Sequence, residues 1–419
     1  MGNLCIIKSN FIYTPEPDRF EIRPDSYLVL NNGKVGEIFE NPPEKYQGCE
    51  IRDFTDKLVI PGFVDLHTHA PQFYQKGLGM DRQLLEWLNE YTFKEERRYG
   101  DVEYAVEAYE RFACELVRQG TTRVSAFATI YKESTIKLFD ILAKKGIGAY
   151  VGKVNMDRNC PPFLREETET SLKDTEEVIA SCSGHPLVKP IITPRFAPTS
   201  TERLLTGLGE LAVKYHLPVQ SHLSENLSEV QWVNDLFPDQ LDYHDVYDHH
   251  QLFGQTPTLM AHCIHLTEEA ITCMKSNGVV AVHCPDSNMN LASGIMQSAK
   301  MLNCGVQVGL GSDVGAGHSL SMAQSMVRAI QLSKINYVFD SQYKPLTLSQ
   351  VFYMATKGGG RFFGDVGSFE KGYDFDALVI DDGDDEKKGM TLLERLQKFI
   401  YTGDSNHIRM RFAAGKEIF

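Results

Sequence analysis

Two histidines, His67 and His69, stand two apart in VDLHTHAPQ, at the end of an apolar, β-branched run. Residues i and i+2 of a strand project to the same side, so the pair can offer two imidazole nitrogens to one divalent ion. HxH by itself is a weak signal. Further titratable side chains close other apolar runs: His222 in LPVQSHL, His262 in TLMAHC, His283 in GVVAVHC and Asp313 in VQVGLGSD. Chance does not readily place such groups at the same end of so many strands.

A catalytic zinc takes about four protein or water ligands and keeps one position open. His67, His69, His222 and Asp313 are the expected ligands, because three neutral imidazoles and one carboxylate leave a net positive site that still holds a water. A divalent ion brings such a water to a pKa of about 7. Glu225 lies three residues after His222 in SHLSEN. A carboxylate beside that water can take its proton and pass it to a leaving group, whereas a helix-capping or solvent-facing Glu is the bland alternative. His262 ends a strand between two ligand-bearing regions, so it binds metal or polarises the substrate; contact with substrate is expected. His283, His265 and His318 read as structural, and DHH at Asp248 to His250 as surface.

Composition narrows the classes of function. The nine cysteines run from Cys5 to Cys304 with no CxxC pair, which predicts a reducing, cytoplasmic compartment and removes zinc fingers and PCxxC metal sites. With 42 basic and 56 acidic side chains the formal net charge is −14. No basic face is available for tracking phosphates, so nucleic acid is not an expected partner. No apolar run approaches the ~18 residues of a membrane span, and the first twenty residues lack a basic start with an apolar stretch. MGNLCI has Ile6 where a myristoylation signal wants Ser or Thr. Hydrophobic residues at 42% and charged residues at 23% suit a folded protein with a large core.

Positioning such residues requires strands that end together. Eight β-rich runs between Leu58 and Asp313 alternate with helical stretches: LVIPGFVDLH, TTRVSAFAT, IGAYVGKV, VKPIITPRF, LPVQSHL, TLMAHC, GVVAVHC and VQVGLGSD. An uninterrupted βα series predicts an α/β fold, a closed (β/α)8 TIM barrel whose active site lies at the C-terminal strand ends. Asp101 to Arg118 carries helical spacing at Ala105, Ala108, Phe112, Leu116 and Val117 and ends at Gly120. GGG at Gly358 to Gly360 reads as a helix terminator, and DDGDDEKK at Asp381 to Lys388 as a solvated loop. Both chain ends carry short alternating strands. Residues 1–58 and 369–419 are therefore expected to build one small composite β-sandwich domain, and 59–368 the catalytic barrel.

The motifs PGFVDLHTHAPQ, SHLSEN, TLMAHC, HCPDSNMNLASG, GLGSDVGAGHSLSM and TGDSNHI together resemble the amidohydrolase superfamily, and HAPQ with PRF is similar to its guanine-deaminating branch. The resemblance implies a (β/α)8 barrel, one zinc per subunit (iron being the other metal in view), and a homodimer. It puts the metal on His67, His69, His222 and Asp313, proton transfer on Glu225 with help from Asp313, and His262 at the substrate. Gln72, Arg195 and Phe196 look like the guanine-recognition set. A purine offers a carbonyl acceptor, ring nitrogens and a flat face, which an amide, a guanidinium and an aromatic ring can meet. An ion pair for Arg195 and a core position for Phe196 stay open. The fourth predicted strand ends ITPRF, without the lysine that dinuclear relatives carry there, which implies a mononuclear site. The implied reaction is hydrolysis of guanine to xanthine and ammonia. A deaminase or chlorohydrolase acting on another aminated heterocycle, or an inactive scaffold, is the alternative.

Overall fold

Alternating apolar and polar residues at both ends of the chain build one mixed sheet. The computed structural model describes residues 4–182, 184–383 and 388–419. The N-terminal segment supplies β1 (Leu4–Glu16), β2 (Arg19–Asn31), β3 (Lys34–Phe39) and β4 (Glu50–Pro61). The middle of the chain supplies β5 (Phe63–His69), β6 (Thr121–Phe127), β7 (Gly148–Gly152), β8 (Val154–Asn155), β9 (Val188–Pro190) and β10 (Thr193–Pro194). It continues with β11 (Val219–Leu223), β12 (Thr258–His262), β13 (Val280–His283) and β14 (Val308–Leu310), and the tail adds β15 (Ala377–Ile380), β16 (Ile408–Ala413) and β17 (Lys416–Glu417).

The terminal strands form a seven-stranded sheet in the order β17-β16-β15-β4-β1-β2-β3. β15 runs antiparallel to β4, with Ala377 opposite Pro61 and Ile380 opposite Leu58. Ile7, Phe11, Leu28, Val59, Phe375 and Phe412 bury its apolar face, so residues from both ends share one core. The loop expected at Asp381 to Lys388 falls largely on residues 384–387, outside the described residues.

The middle strands are parallel. One four-stranded sheet has the order β5-β6-β7-β9, a second β11-β12-β13-β14, and β8 pairs with β10. Between the two larger sheets Gln220 N–H donates to the Ile192 carbonyl at 2.9 Å on one flank. On the other flank Asp313 N–H donates to the His67 carbonyl at 2.8 Å and His69 N–H to the Val314 carbonyl at 2.7 Å. Val64, Leu66, Ile191, Leu259, Ala261 and Val282 pack together as one buried cluster contributed by both sheets.

Three expected strands are divided. LVIPGFVDLH is the end of β4 and the start of β5, broken at Gly62, where a Cβ would lie 2.3 Å from Thr122 Oγ1. VKPIITPRF breaks after Pro190 and after Pro194, neither of which has an N–H to continue a ladder. IGAYVGKV divides into β7 and β8.

The helix Val102–Arg118 matches its periodicity. Asp101 caps it by accepting from the N–H groups of Glu103 and Tyr104, and Ala105, Ala108, Phe112 and Leu116 are buried. Two local expectations are corrected. Gly358 to Gly360 lie inside a helical run that continues to Phe363; they are small because a Cβ on Gly360 would sit 2.3 Å from the Val366 carbonyl and one on Gly359 3.2 Å from Val64. His250 is buried rather than on the surface, with its Nδ1 3.0 Å from Thr206 Oγ1. Among the described residues no helix is long and apolar enough to cross a membrane.

Candidate active site

At the C-terminal ends of the parallel strands a cavity is lined by His69, Gln72, Arg195, Phe196, His222, Glu225, His262 and Asp313, with Leu84, Trp87, Leu88, Leu291 and Ala316 completing its wall. His67 stands just behind, its ring centroid 4.8 Å from that of His222. Every residue singled out from the sequence for metal, proton transfer or substrate therefore meets at one place.

The backbone turns sharply where these groups emerge. Ser224, His262 and Asp313 hold φ of 50°, 72° and 45°, left-handed conformations that cost a non-glycine residue on the order of 1 kcal/mol or more and cluster at functional sites. After β11, β12 and β14 these turns bring Glu225, His262 and Asp313 to one cavity instead of letting the strands run on.

The donor set fits a divalent cation. His67, His69 and His222 can each contribute one ring nitrogen to a group whose ligand atoms all lie within 4.8 Å of one another. Nε2 of His69 is 3.2 Å from Nε2 of His222, and Asp313 Oδ1 is 3.2 Å from His67 Nε2 and 3.4 Å from His69 Nε2. A tetrahedral ion with bonds of about 2.0–2.1 Å separates its ligands by about 3.3–3.4 Å. Burial holds all three imidazoles below the usual histidine range. His222 donates its Nδ1 proton to the Arg195 carbonyl at 2.6 Å, which leaves the Nε2 lone pair facing the site. His69 Nε2 and His222 Nε2, 3.2 Å apart, can share one proton or one cation, and His67 Nε2 is buried without a hydrogen bond. Burial opposes the charge of Asp313, but His67, His262 and His69 outweigh it and hold the carboxyl well below the usual range.

Glu225 and His262 line the cavity side by side. Glu225 Oε2 is 3.4 Å from His262 Nε2, and burial pushes the Glu225 carboxyl up to about 7. Ser293 donates to Glu225 Oε1 at 3.0 Å. Glu229 accepts from the N–H groups of Glu225 and Asn226 and from the Tyr243 hydroxyl, so the turn after β11 is tied down by a second buried carboxylate. His262 Nδ1 donates to Asn288 Oδ1 at 2.9 Å, and Glu225 and Asp313 outweigh burial to raise its pKa.

On the opposite wall Arg195 both pairs with a carboxylate and lines the cavity. Its Nη1 donates to Glu96 Oε2 at 2.6 Å, while Gln72 Nε2 donates to Glu96 Oε1 at 2.8 Å. Phe196 lies 5% exposed beside His222 and Trp232. A continuous helical stretch from Leu84 to Arg97 contains a π turn at Leu88–Thr92, a feature frequent at functional sites. It sets Trp87 and Leu88 on the cavity and Glu96 behind it. Sequence reasoning missed Glu96, Glu229, Asn288 and Ser293. Glu96 is one of several charged residues in FKEERRYG, with no local pattern to single it out, while Asn288 and Ser293 stand in HCPDSNMNLASG, where proximity to a strand end is the available signal. His283 and His318 do not line the cavity.

Fold and site agree with the sequence comparisons: the chain belongs to the amidohydrolase family, whose model matches residues 58–418. Within it, the chain is similar to guanine deaminases along its whole length. It is 36% identical to that of Dictyostelium discoideum over 440 residues, covering 99% of this chain and 98% of the relative, and 36% identical to that of Homo sapiens, covering 99% and 96%. A crystal structure of the guanine deaminase from C. acetobutylicum, with guanine bound in the active site, superposes with a TM-score of 0.98 at 52% identity, covering all of both chains.

Proposed function

We propose that this protein is a metal-dependent hydrolase that deaminates guanine to xanthine and ammonia. The observation that carries the reading is the meeting, in one cavity, of a cation donor set, a buried carboxylate and the hydrogen-bond donors Gln72 and Arg195. The similarity to guanine deaminases over the full chain supports it independently.

His67, His69, His222 and Asp313 would hold one zinc, with iron an acceptable substitute, since both accept nitrogen and carboxylate donors. Bound there, the ion supplies Lewis acidity and an acidic water at neutral pH. Gln72 and Arg195 bind the purine by its acceptor atoms, and Phe196 covers its face. Glu225 accepts a proton from the water that adds at C2 and delivers it to a ring nitrogen. It then assists transfer of a second proton to the departing amino group, so that guanine and water become xanthine and ammonia. His262 Nε2, held by Asn288, faces the reacting centre and stabilises developing negative charge there, with Asp313 beside it. Leu84, Trp87, Leu88 and Leu291 exclude bulk water.

We read the two parallel sheets as one closed (β/α)8 barrel, supported by the hydrogen bonds on both flanks, over residues 59–368. Residues 1–58 and 369–419 form a small composite β domain, supported by the single seven-stranded sheet and its pairing of β4 with β15. A homodimer in the cytoplasm completes the reading, and all nine cysteines being free fits a reducing compartment.

Incubation of the pure protein with guanine, following ammonia and xanthine, tests the activity. Turnover of another aminated heterocycle in place of guanine overturns the substrate. A metal content far below one equivalent without chelator, with no turnover, favours an inactive scaffold.

A further inference from the structure

Glu96 is 2% exposed and touches two of the proposed substrate-binding side chains without lining the cavity itself. One carboxylate oxygen accepts from Gln72 Nε2 at 2.8 Å and the other from Arg195 Nη1 at 2.6 Å. A carboxylate carries no proton to donate, so both neighbours must turn N–H groups toward it. The other end of the Gln72 amide is also engaged, since Gly315 N–H donates to Gln72 Oε1 at 3.2 Å. A flipped amide would set oxygen against the Glu96 carboxylate and N–H against the Gly315 N–H. Its orientation therefore has one satisfied solution. The Arg195 guanidinium is held as well, 5.2 Å from the Phe93 ring centroid.

We propose that Glu96 is a positioning residue that fixes Gln72 and Arg195 as hydrogen-bond donors toward the cavity, and thereby sets selectivity for a purine with a carbonyl over one with an amine at the same position. The inference rests on the reading of the cavity as a guanine site. With one Nε2 hydrogen of Gln72 and one Nη1 hydrogen of Arg195 committed to Glu96, the hydrogens left over are offered to the ligand. A carbonyl oxygen or an unprotonated ring nitrogen accepts them. An amino group in the same place sets donor against donor in a buried site, where unpaired polar groups discriminate strongly. Removing the carboxylate takes away one of the two contacts that fix the amide, leaving the Gly315 N–H alone to oppose a flip that presents oxygen to the amine.

Hypoxanthine and adenine test this as competitive inhibitors of guanine turnover, because they differ in carrying a carbonyl or an amine and neither has an amino group at C2. The wild-type protein is expected to bind hypoxanthine more tightly. Glu96→Gln is expected to lower that preference about tenfold or more, raising KM for guanine more than it lowers kcat, with metal content close to wild type. A preference unchanged in Glu96→Gln overturns the proposal. Gln72→Leu, which keeps the Glu96–Arg195 pair, serves if the first variant does not fold. It must also lower the preference, and an unchanged ratio there equally overturns the assignment. Failure of the wild-type protein to turn over guanine is a separate outcome, which removes the substrate reading beneath the proposal.

Discussion

Oε2 of Glu225 lies 3.4 Å from Nε2 of His262, and the far side of each group is held by a side chain from the segment after β13. Ser293 donates to Glu225 Oε1 and Asn288 accepts from His262 Nδ1. The two side chains reach the cavity from the ends of separate strands, so their spacing is set by a third element that contacts both.

Glu225→Gln keeps the shape and the Ser293 contact but removes the base. Turnover is expected to fall by at least about 100-fold, with one equivalent of metal retained. Steady-state kinetics with metal analysis checks this, and wild-type-like turnover would remove Glu225 from the reaction.

Asn288→Ala takes the acceptor from a buried His262 N–H. A loss of about 1–3 kcal/mol in stability is expected, with kcat reduced more than KM is changed, because the ring loses its orientation at the reacting centre. Denaturant unfolding and kinetics on the same preparation test both parts.

His283 ends β13 fully buried, with neither ring nitrogen hydrogen-bonded, and burial pushes its pKa down to about 3. The unfolded chain takes up a proton there near pH 6.5 while the folded protein does not. Stability from this group is thus complete above about pH 6.5 and is lost as pH falls toward 3, at up to about 1.4 kcal/mol per pH unit. His283→Leu should show a shallower acid limb than wild type in unfolding measured across that range; parallel limbs would contradict the assignment.

Gly311 shows how the fold guards the site. A Cβ there would lie 2.8 Å from the His67 Cβ and 3.0 Å from the Cys284 Sγ. Gly311→Ala should cost about 1–3 kcal/mol by overpacking and, by displacing His67, lower the bound metal. Calorimetry and metal analysis read the two effects separately.

Prolonged chelation should abolish turnover and lower the melting temperature, because a ligand bound only by the folded state stabilises it. Zinc added back should restore both. Full activity after verified metal removal would rule out the cation role.

HxH, the later strand-end histidines and Asp313 were legible as a cluster because a strand's two-residue period and the common C-terminal ends of parallel strands dictate where such residues point. The helix Val102–Arg118 was legible for the same kind of reason, its apolar spacing and Asp101 cap being local. His250 was misjudged because burial depends on what packs over a segment, here the helix bearing Thr206. The glycines at 358–360 were misjudged because close approach of Val64 and Val366, rather than chain termination, demands them.

The sequence by itself determined the chemistry: which residues can hold a cation, move a proton or meet a purine, since those properties belong to side-chain types and local periodicity. Tertiary structure decided which of them act together. Glu96 joins Gln72 to Arg195, and Asn288 and Ser293 span His262 and Glu225, across separations of 24 to 99 residues. No local pattern marks such contacts, because a hydrogen bond depends on distances of a few tenths of an ångström that exist once the strands are assembled.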